Sequence, residues 1–139
     1  MAHESAREII DDLIDAYQRG DNDRLAARYH DDIDWLFHAP ISLFPFAGAR
    51  RGKEDVFKGF ALLYQAFRPV RFEIQLIVAE GDQAATLAES HMEQRSTGRI
   101  IRSRIAGFHR FRDGLLTEYR GFTDSIDAAE QVLGRELDL

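Results

Sequence analysis

The feature that most constrains this chain is a stretch from residue 86 to 124 in which polar and apolar side chains alternate, broken only by turn-forming residues. Successive side chains of a strand point to opposite sides, so the pattern describes strands with two unlike faces. Thr97-Gly98 and Asp113-Gly114 punctuate it and Gly81-Asp82 precedes it, each predicting a hairpin turn. One parity holds Glu89, His91, Glu93, Arg102, Arg104, Arg110, Glu118 and Arg120, and the other holds Ser90, Met92, Ile105, Gly107, His109, Tyr119 and Thr123. The second set is predicted to face inward, because a slip of one residue would bury the charges.

Turn geometry then predicts partners. A two-residue turn at Thr97-Gly98 sets Glu93 against Arg102 and His91 against Arg104, pairs worth ~0.2–1 kcal/mol each. A three-residue turn at Arg112-Asp113-Gly114, with Gly114 in a bulge, sets Gly107 against Tyr119 and His109 against Thr117, leaving space beside the glycine.

The first half of the chain reads as helical. Ser5 and Glu8 form a capping box ahead of Ile9, Ile10, Leu13, Ile14 and Tyr17, and Gly20 stops the helix. Asp21 caps a second short helix carrying Leu25, Ala26 and Tyr29, after which Ile33, Trp35 and Phe37 alternate as a strand. Residues 40–48 contain two prolines yet are unusually apolar for a solvated loop, which predicts a covering segment. A third helix is expected from about Lys53 to Phe67, and a closing helix from Asp124 or Ser125. Together these predict an α+β class, in one domain over residues 1–139.

Composition excludes several functions. A net charge of −6 disfavours nucleic acid or an anionic membrane as the main partner. No cysteine is present, which removes thiolate nucleophiles and zinc–thiolate sites. Residues 1–5 lack the basic and apolar regions of a leader, and no apolar run approaches a membrane span, so the cytoplasm is expected. Arg95, Arg99, Arg102, Arg104, Arg110 and Arg112 cluster locally, but interleaved acids point to a solvated or subunit-contacting face. Glu89, His91 and Glu93 share one strand face, yet the opposing arginines favour ion pairing over a metal site. No phosphate-binding loop or nucleophile elbow is present, so no cofactor is expected.

Three segments resemble a known family: Tyr29-His30-Asp31-Asp32, residues 46–54 and residues 108–120. They are similar to the SnoaL-like and ketosteroid-isomerase-like branch of the nuclear transport factor 2-like superfamily. The resemblance implies a curved, mostly antiparallel sheet wrapped around N-terminal helices, forming a cone with an internal pocket. It also implies cofactor-free chemistry on a small hydrophobic metabolite, and a homodimer for which the outer sheet face is the candidate interface. The isomerase's catalytic groups do not carry over. Its general base falls at Phe37 or Ala39, its oxyanion tyrosine at Leu13 and its second acid at Gly107. The family's epoxide-hydrolase triad falls at Ser90, Met92 and Gly121. Both comparisons argue against those two reactions.

The candidates for chemistry are therefore His109, as a proton-transfer group on the pocket wall, and Tyr119, as a donor to a developing oxyanion. The alternative for His109 is a hydrogen-bonded, inert histidine near the cone's mouth. His38 opposes Trp35 and Phe37 in parity, and would assist only if an irregularity before Pro40 turned it inward. Tyr17, Trp35, Phe60, Tyr64, Met92, Ile105, Gly107 and Thr123 are the expected ligand contacts. Asp124 is explained by helix capping.

Overall fold

The computed structural model describes residues 4–139; Met1–His3, part of the segment searched for a leader, lie outside the described residues. Helix α1 (Ala6–Arg19) begins where the Ser5 side chain accepts the amide of Glu8 and ends at Gly20, whose φ of 66° is left-handed. Its stripe of Ile9, Ile10, Leu13 and Ala16 is buried. Helix α2 (Asn22–Arg28) is capped by Asp21 and ends one residue earlier than its apolar spacing suggests, because Tyr29 opens strand β1 (Tyr29–His38). Arg24 pairs with Asp12 and Asp15, and Arg28 with Asp12 and Glu4, tying the two helices together. The hydrogen bonds from these arginines hold the Asp12 carboxyl below its ordinary pKa.

A short strand, β2 (Gly48–Arg51), follows the apolar loop and was not legible in the sequence. Helix α3 (Lys53–Ala66) leads into β3 (Phe67–Glu80), β4 (Gln83–Gln94), β5 (Ile100–Arg112) and β6 (Leu115–Thr123), and α4 (Ser125–Leu133) closes the chain. The six strands form one sheet in the order β2-β1-β6-β5-β4-β3. Only β1 and β6 run parallel. Bulges after Pro69 and Ile74 in edge strand β3 bend the sheet, and its inner face packs on α1 and α3 around Ile10, Ile33, Phe67, Ile101 and Leu116. Among the described residues no helix is long and apolar enough to cross a membrane.

The predicted faces hold, and the predicted registers do not. His91 lies opposite Arg102 and Glu89 opposite Arg104, two residues from the expected pairing. The Gln94 carbonyl receives the amides of Thr97 and Gly98, and the Gln94 amide reaches the Arg99 carbonyl, so four residues turn the chain instead of two. An even shift leaves every side chain on its own face. At the next hairpin Asp113 (φ 53°) and Gly114 (φ 77°) are both left-handed, as a two-residue type I′ turn requires. That loop alone would reverse the parity of β6, but a bulge at Thr117, whose hydroxyl donates to the Arg110 carbonyl, restores it. His109 consequently faces Tyr119, and Gly107 faces Gly121.

The outer face is not uniformly charged. Two adjacent cross-strand rows, Val78-Ala85-Phe108 and Leu76-Leu87-Ala106-Phe122, form an apolar band between rows of charge. Leu76, Val78, Phe108 and Phe122 are 55, 59, 52 and 41% exposed. The arginine cluster also serves local structure. Arg99 caps the last carbonyls of α4 through Val132, and Gln131 of α4 exchanges hydrogen bonds with the Arg102 backbone.

Candidate functional site

Between the concave sheet face and the helices lies a cavity of about 150 Å³. Helices α1 and α3 contribute Leu13, Tyr17 and Phe60, strand β1 contributes Trp35 and Phe37, and the covering loop contributes Phe44 and Phe46. The loop is held from behind by Arg50, which donates to the carbonyls of Pro45 and Phe46 and to Asp55 on α3. Gly59 makes room for that guanidinium, since a Cβ there would stand 2.7 Å from Arg50 Nε. None of the residues lining the cavity is Asp, Glu, Lys or Arg.

Tyr17, Trp35, Phe60, Met92, Ile105 and Thr123 line the cavity, as do His109 and Tyr119. Tyr64 does not; it stacks behind Tyr17 and Phe60, with its hydroxyl buried and unpartnered. The Thr123 hydroxyl is committed to the Arg104 carbonyl. Gly107 does not leave open space, contrary to expectation. A Cβ there would lie 2.9 Å from His109 Cε1, 3.0 Å from Thr86 Oγ1 and 3.1 Å from Tyr119 Cε1, so neighbouring side chains already occupy its clearance. Gly121, its cross-strand partner, is covered in the same way by Phe37 and the Tyr119 hydroxyl, each 2.6 Å from such a Cβ. Two paired glycines thus form a bare patch of sheet on which Tyr119 lies flat.

His38 requires correction. No irregularity turns it inward; it is exposed on the outer face and stacks on Phe122 with ring centroids 4.3 Å apart. Alternation from Ile33 to the end of β1 carries it to the side opposite Phe37. Nor do Glu89, His91 and Glu93 converge. His91 Nε2 lies 3.4 Å from Glu89 but without hydrogen-bond geometry, and Glu93 pairs with Arg68. No cluster able to hold a metal occurs among the described residues. Asp124 caps α4 by accepting the Asp127 amide.

His109 and Tyr119 stand edge to face, with centroids 5.1 Å apart, and Trp35 stacks on the far side of Tyr119 at 5.7 Å. Burial lowers the His109 pKa to about 4, against a smaller opposing effect of the Ala84 backbone, so the imidazole is neutral at pH 7. Its Nδ1 is buried and makes no hydrogen bond. Burial also pushes the Tyr119 phenol above its ordinary pKa, as it does for Tyr17 and Tyr29. Such a site can accept a proton at a neutral imidazole and donate hydrogen bonds from un-ionised phenols. Thr86, a buried hydroxyl at the centre of this group, was missed in the sequence. It continues the inward parity of β4 two residues before Ala88, and only the fold brings it beside His109.

The curved sheet with helices packed on its inner face is the fold of solved structures described as nuclear transport factor 2-like, ketosteroid isomerase-like and cystatin-like. The SnoaL-like domain model matches residues 10–119, and the chain belongs to that family. A candidate isomerase from Rhodopseudomonas palustris is similar at 32% identity and a TM-score of 0.85, over 97% of this chain and 100% of that one. A nuclear transport factor 2-like protein from Burkholderia thailandensis shares 23% identity with a TM-score of 0.81, covering 93% and 98% of the two chains. A candidate SnoaL-like polyketide cyclase from Mesorhizobium loti shares 21%, with a TM-score of 0.66 over 85% and 98%. The last two show the fold alone. No curated protein matches the chain in sequence.

Proposed function

We propose that the protein admits a small, largely apolar metabolite to the cavity and transforms it by cofactor-free acid–base chemistry of the isomerase, cyclase, dehydratase or hydrolase type. The observation that carries this reading is a neutral imidazole with an unpartnered nitrogen, set edge-on to a buried phenol in a cavity whose wall carries no Asp, Glu, Lys or Arg. The low pKa of His109 keeps its free-base form populated at neutral pH, so it begins the reaction as the proton acceptor. Tyr119 donates to the oxygen on which charge develops, and the aromatic wall orients the substrate and excludes water. The similarity to the Rhodopseudomonas candidate isomerase supports the same class of chemistry.

A second reading, a non-catalytic holder of the same kind of ligand, is favoured by one specific observation. The positions where the isomerase branch carries its acids and its tyrosine are held here by Phe37 or Ala39, Gly107 and Leu13. The test is to release and identify whatever small molecule accompanies the natively purified protein, then to incubate that compound with wild type and with His109→Ala. Conversion by wild type alone, with binding retained in the variant, supports the enzyme. Binding by both without conversion establishes the holder.

We propose in addition that two copies pair through the outer face of the sheet. The apolar band rimmed by charge supports this, because a twofold axis through it would set the band against itself.

A further inference from the structure

Thr86, His109 and Tyr119 come from three different strands and converge on one point, the space over Gly107 that a side chain would otherwise fill. A Cβ built at that glycine would touch all three at 2.9–3.1 Å, so their side chains are mutual neighbours. All three also line the cavity: His109 Nδ1 is buried and unbonded, Thr86 brings its Oγ1 to the shared point, and the Tyr119 hydroxyl lies beside Gly121, the cross-strand neighbour of Gly107. A buried polar group without a partner is costly, and an unbonded imidazole nitrogen with two hydroxyl-bearing side chains beside it on an uncharged wall is matched by a ligand atom that can satisfy several polar groups together.

We propose that these three residues form a subsite for the oxygen of an uncharged ligand, a ketone or ester carbonyl or a phenol carried on an apolar ring, and that the carboxylate of the same skeleton is rejected. The inference rests on the cavity being a metabolite pocket, as argued above. The hydroxyls of Thr86 and Tyr119 supply donors to such an oxygen, and the imidazole accepts from a ligand hydroxyl or donates through its single N–H. Rejection of a carboxylate follows from the lining. An ionised group would enter a cavity with no Lys, Arg, Asp or Glu on its wall, leaving water without a counter-charge. Size favours a single ring, since cavities of about 150 Å³ accommodate benzene.

Three probes of matched shape test this at pH 7 by ligand-observed NMR titration: acetophenone, ethylbenzene and benzoate. Wild type is expected to bind acetophenone more tightly than ethylbenzene and to show no saturable binding of benzoate. Thr86→Val keeps the side-chain shape while deleting the hydroxyl. It should weaken acetophenone about three- to tenfold and leave ethylbenzene unchanged, which also reports that the cavity is intact. Equal affinity for acetophenone and ethylbenzene, an unaltered acetophenone affinity in the variant, or benzoate binding as tight as acetophenone would each overturn the subsite while the pocket survives. Failure of both neutral probes to bind wild type would overturn the pocket as well.

Discussion

His109 and Tyr119 face each other directly across the β5–β6 ladder, edge to face at 5.1 Å, above a pair of glycines that also face each other. Neither residue is adjacent to the other in sequence, and their contact depends on the single extra residue at Thr117. The position makes the imidazole a stability sensor as well as a candidate base. Its folded pKa, about 4, lies below its unfolded value of about 6.5. Between these values the unfolded chain binds the extra proton, so stability falls as pH drops from 6.5 towards 4. The total is on the order of 3 kcal/mol. Urea midpoints measured across this range should fall more steeply for wild type than for His109→Gln, the difference levelling off below pH 4. Parallel curves for the two proteins would disprove it.

Gly121 has no room for a side chain. Replacement by Ala would press a methyl group against the Phe37 ring and the Tyr119 hydroxyl at 2.6 Å, and neither aromatic is free to move in the packed wall. The expected loss is about 1–3 kcal/mol in denaturant unfolding. Gly134→Ala is an instructive contrast, because φ there is left-handed and the methyl meets the Arg99 guanidinium that caps α4, so its cost combines backbone strain with a disturbed cap.

Arg50 fastens the loop that roofs the cavity. Removing it with Arg50→Ala leaves the Pro45 and Phe46 carbonyls without their guanidinium partner and should cost about 2 kcal/mol. The amides of Phe44 and Ala47, which hydrogen-bond within the loop, should exchange with solvent faster. Arg50→Lys should not restore protection, since one ammonium cannot span acceptors on Pro45, Phe46 and Asp55.

Pairing through the outer band makes a prediction about mass. Phe108→Glu places a charge among the exposed apolar rows without touching the cavity wall. Sedimentation at micromolar concentration should show a dimer for wild type and a monomer for the variant, with unchanged circular dichroism. A monomeric wild type would eliminate the interface.

Much of this molecule is written locally. The caps at Ser5, Asp21 and Asp124 and the stripe of α1 follow from residues within one or two turns of one another. The inner and outer faces of β4, β5 and β6 were readable for a related reason: parity is a property of a strand by itself, and the two-residue register shift at the first hairpin does not disturb it. The resemblance of residues 29–32, 46–54 and 108–120 pointed to the family for the same reason, since those segments carry the turns and strands that build the cone.

What the sequence could not determine depends on partners distant in the chain. The His109–Tyr119 pairing rests on a bulge that compensates a short turn, and no local pattern announces that compensation. Strand β2 is four residues long and exists because β1 offers it an edge. His38 is oriented by the regular stretch of β1 from Asp34 onward, and its ring finds Phe122 only through the parallel pairing with β6. The apolar band outside was obscured by conspicuous charges at the strand ends, and becomes a surface only when rows from four strands are aligned. The low pKa of His109 and the recruitment of Thr86 are consequences of burial, which is set by everything packed around a residue and not by its neighbours in sequence. Alternation determined which side each group takes; tertiary pairing decided which groups meet.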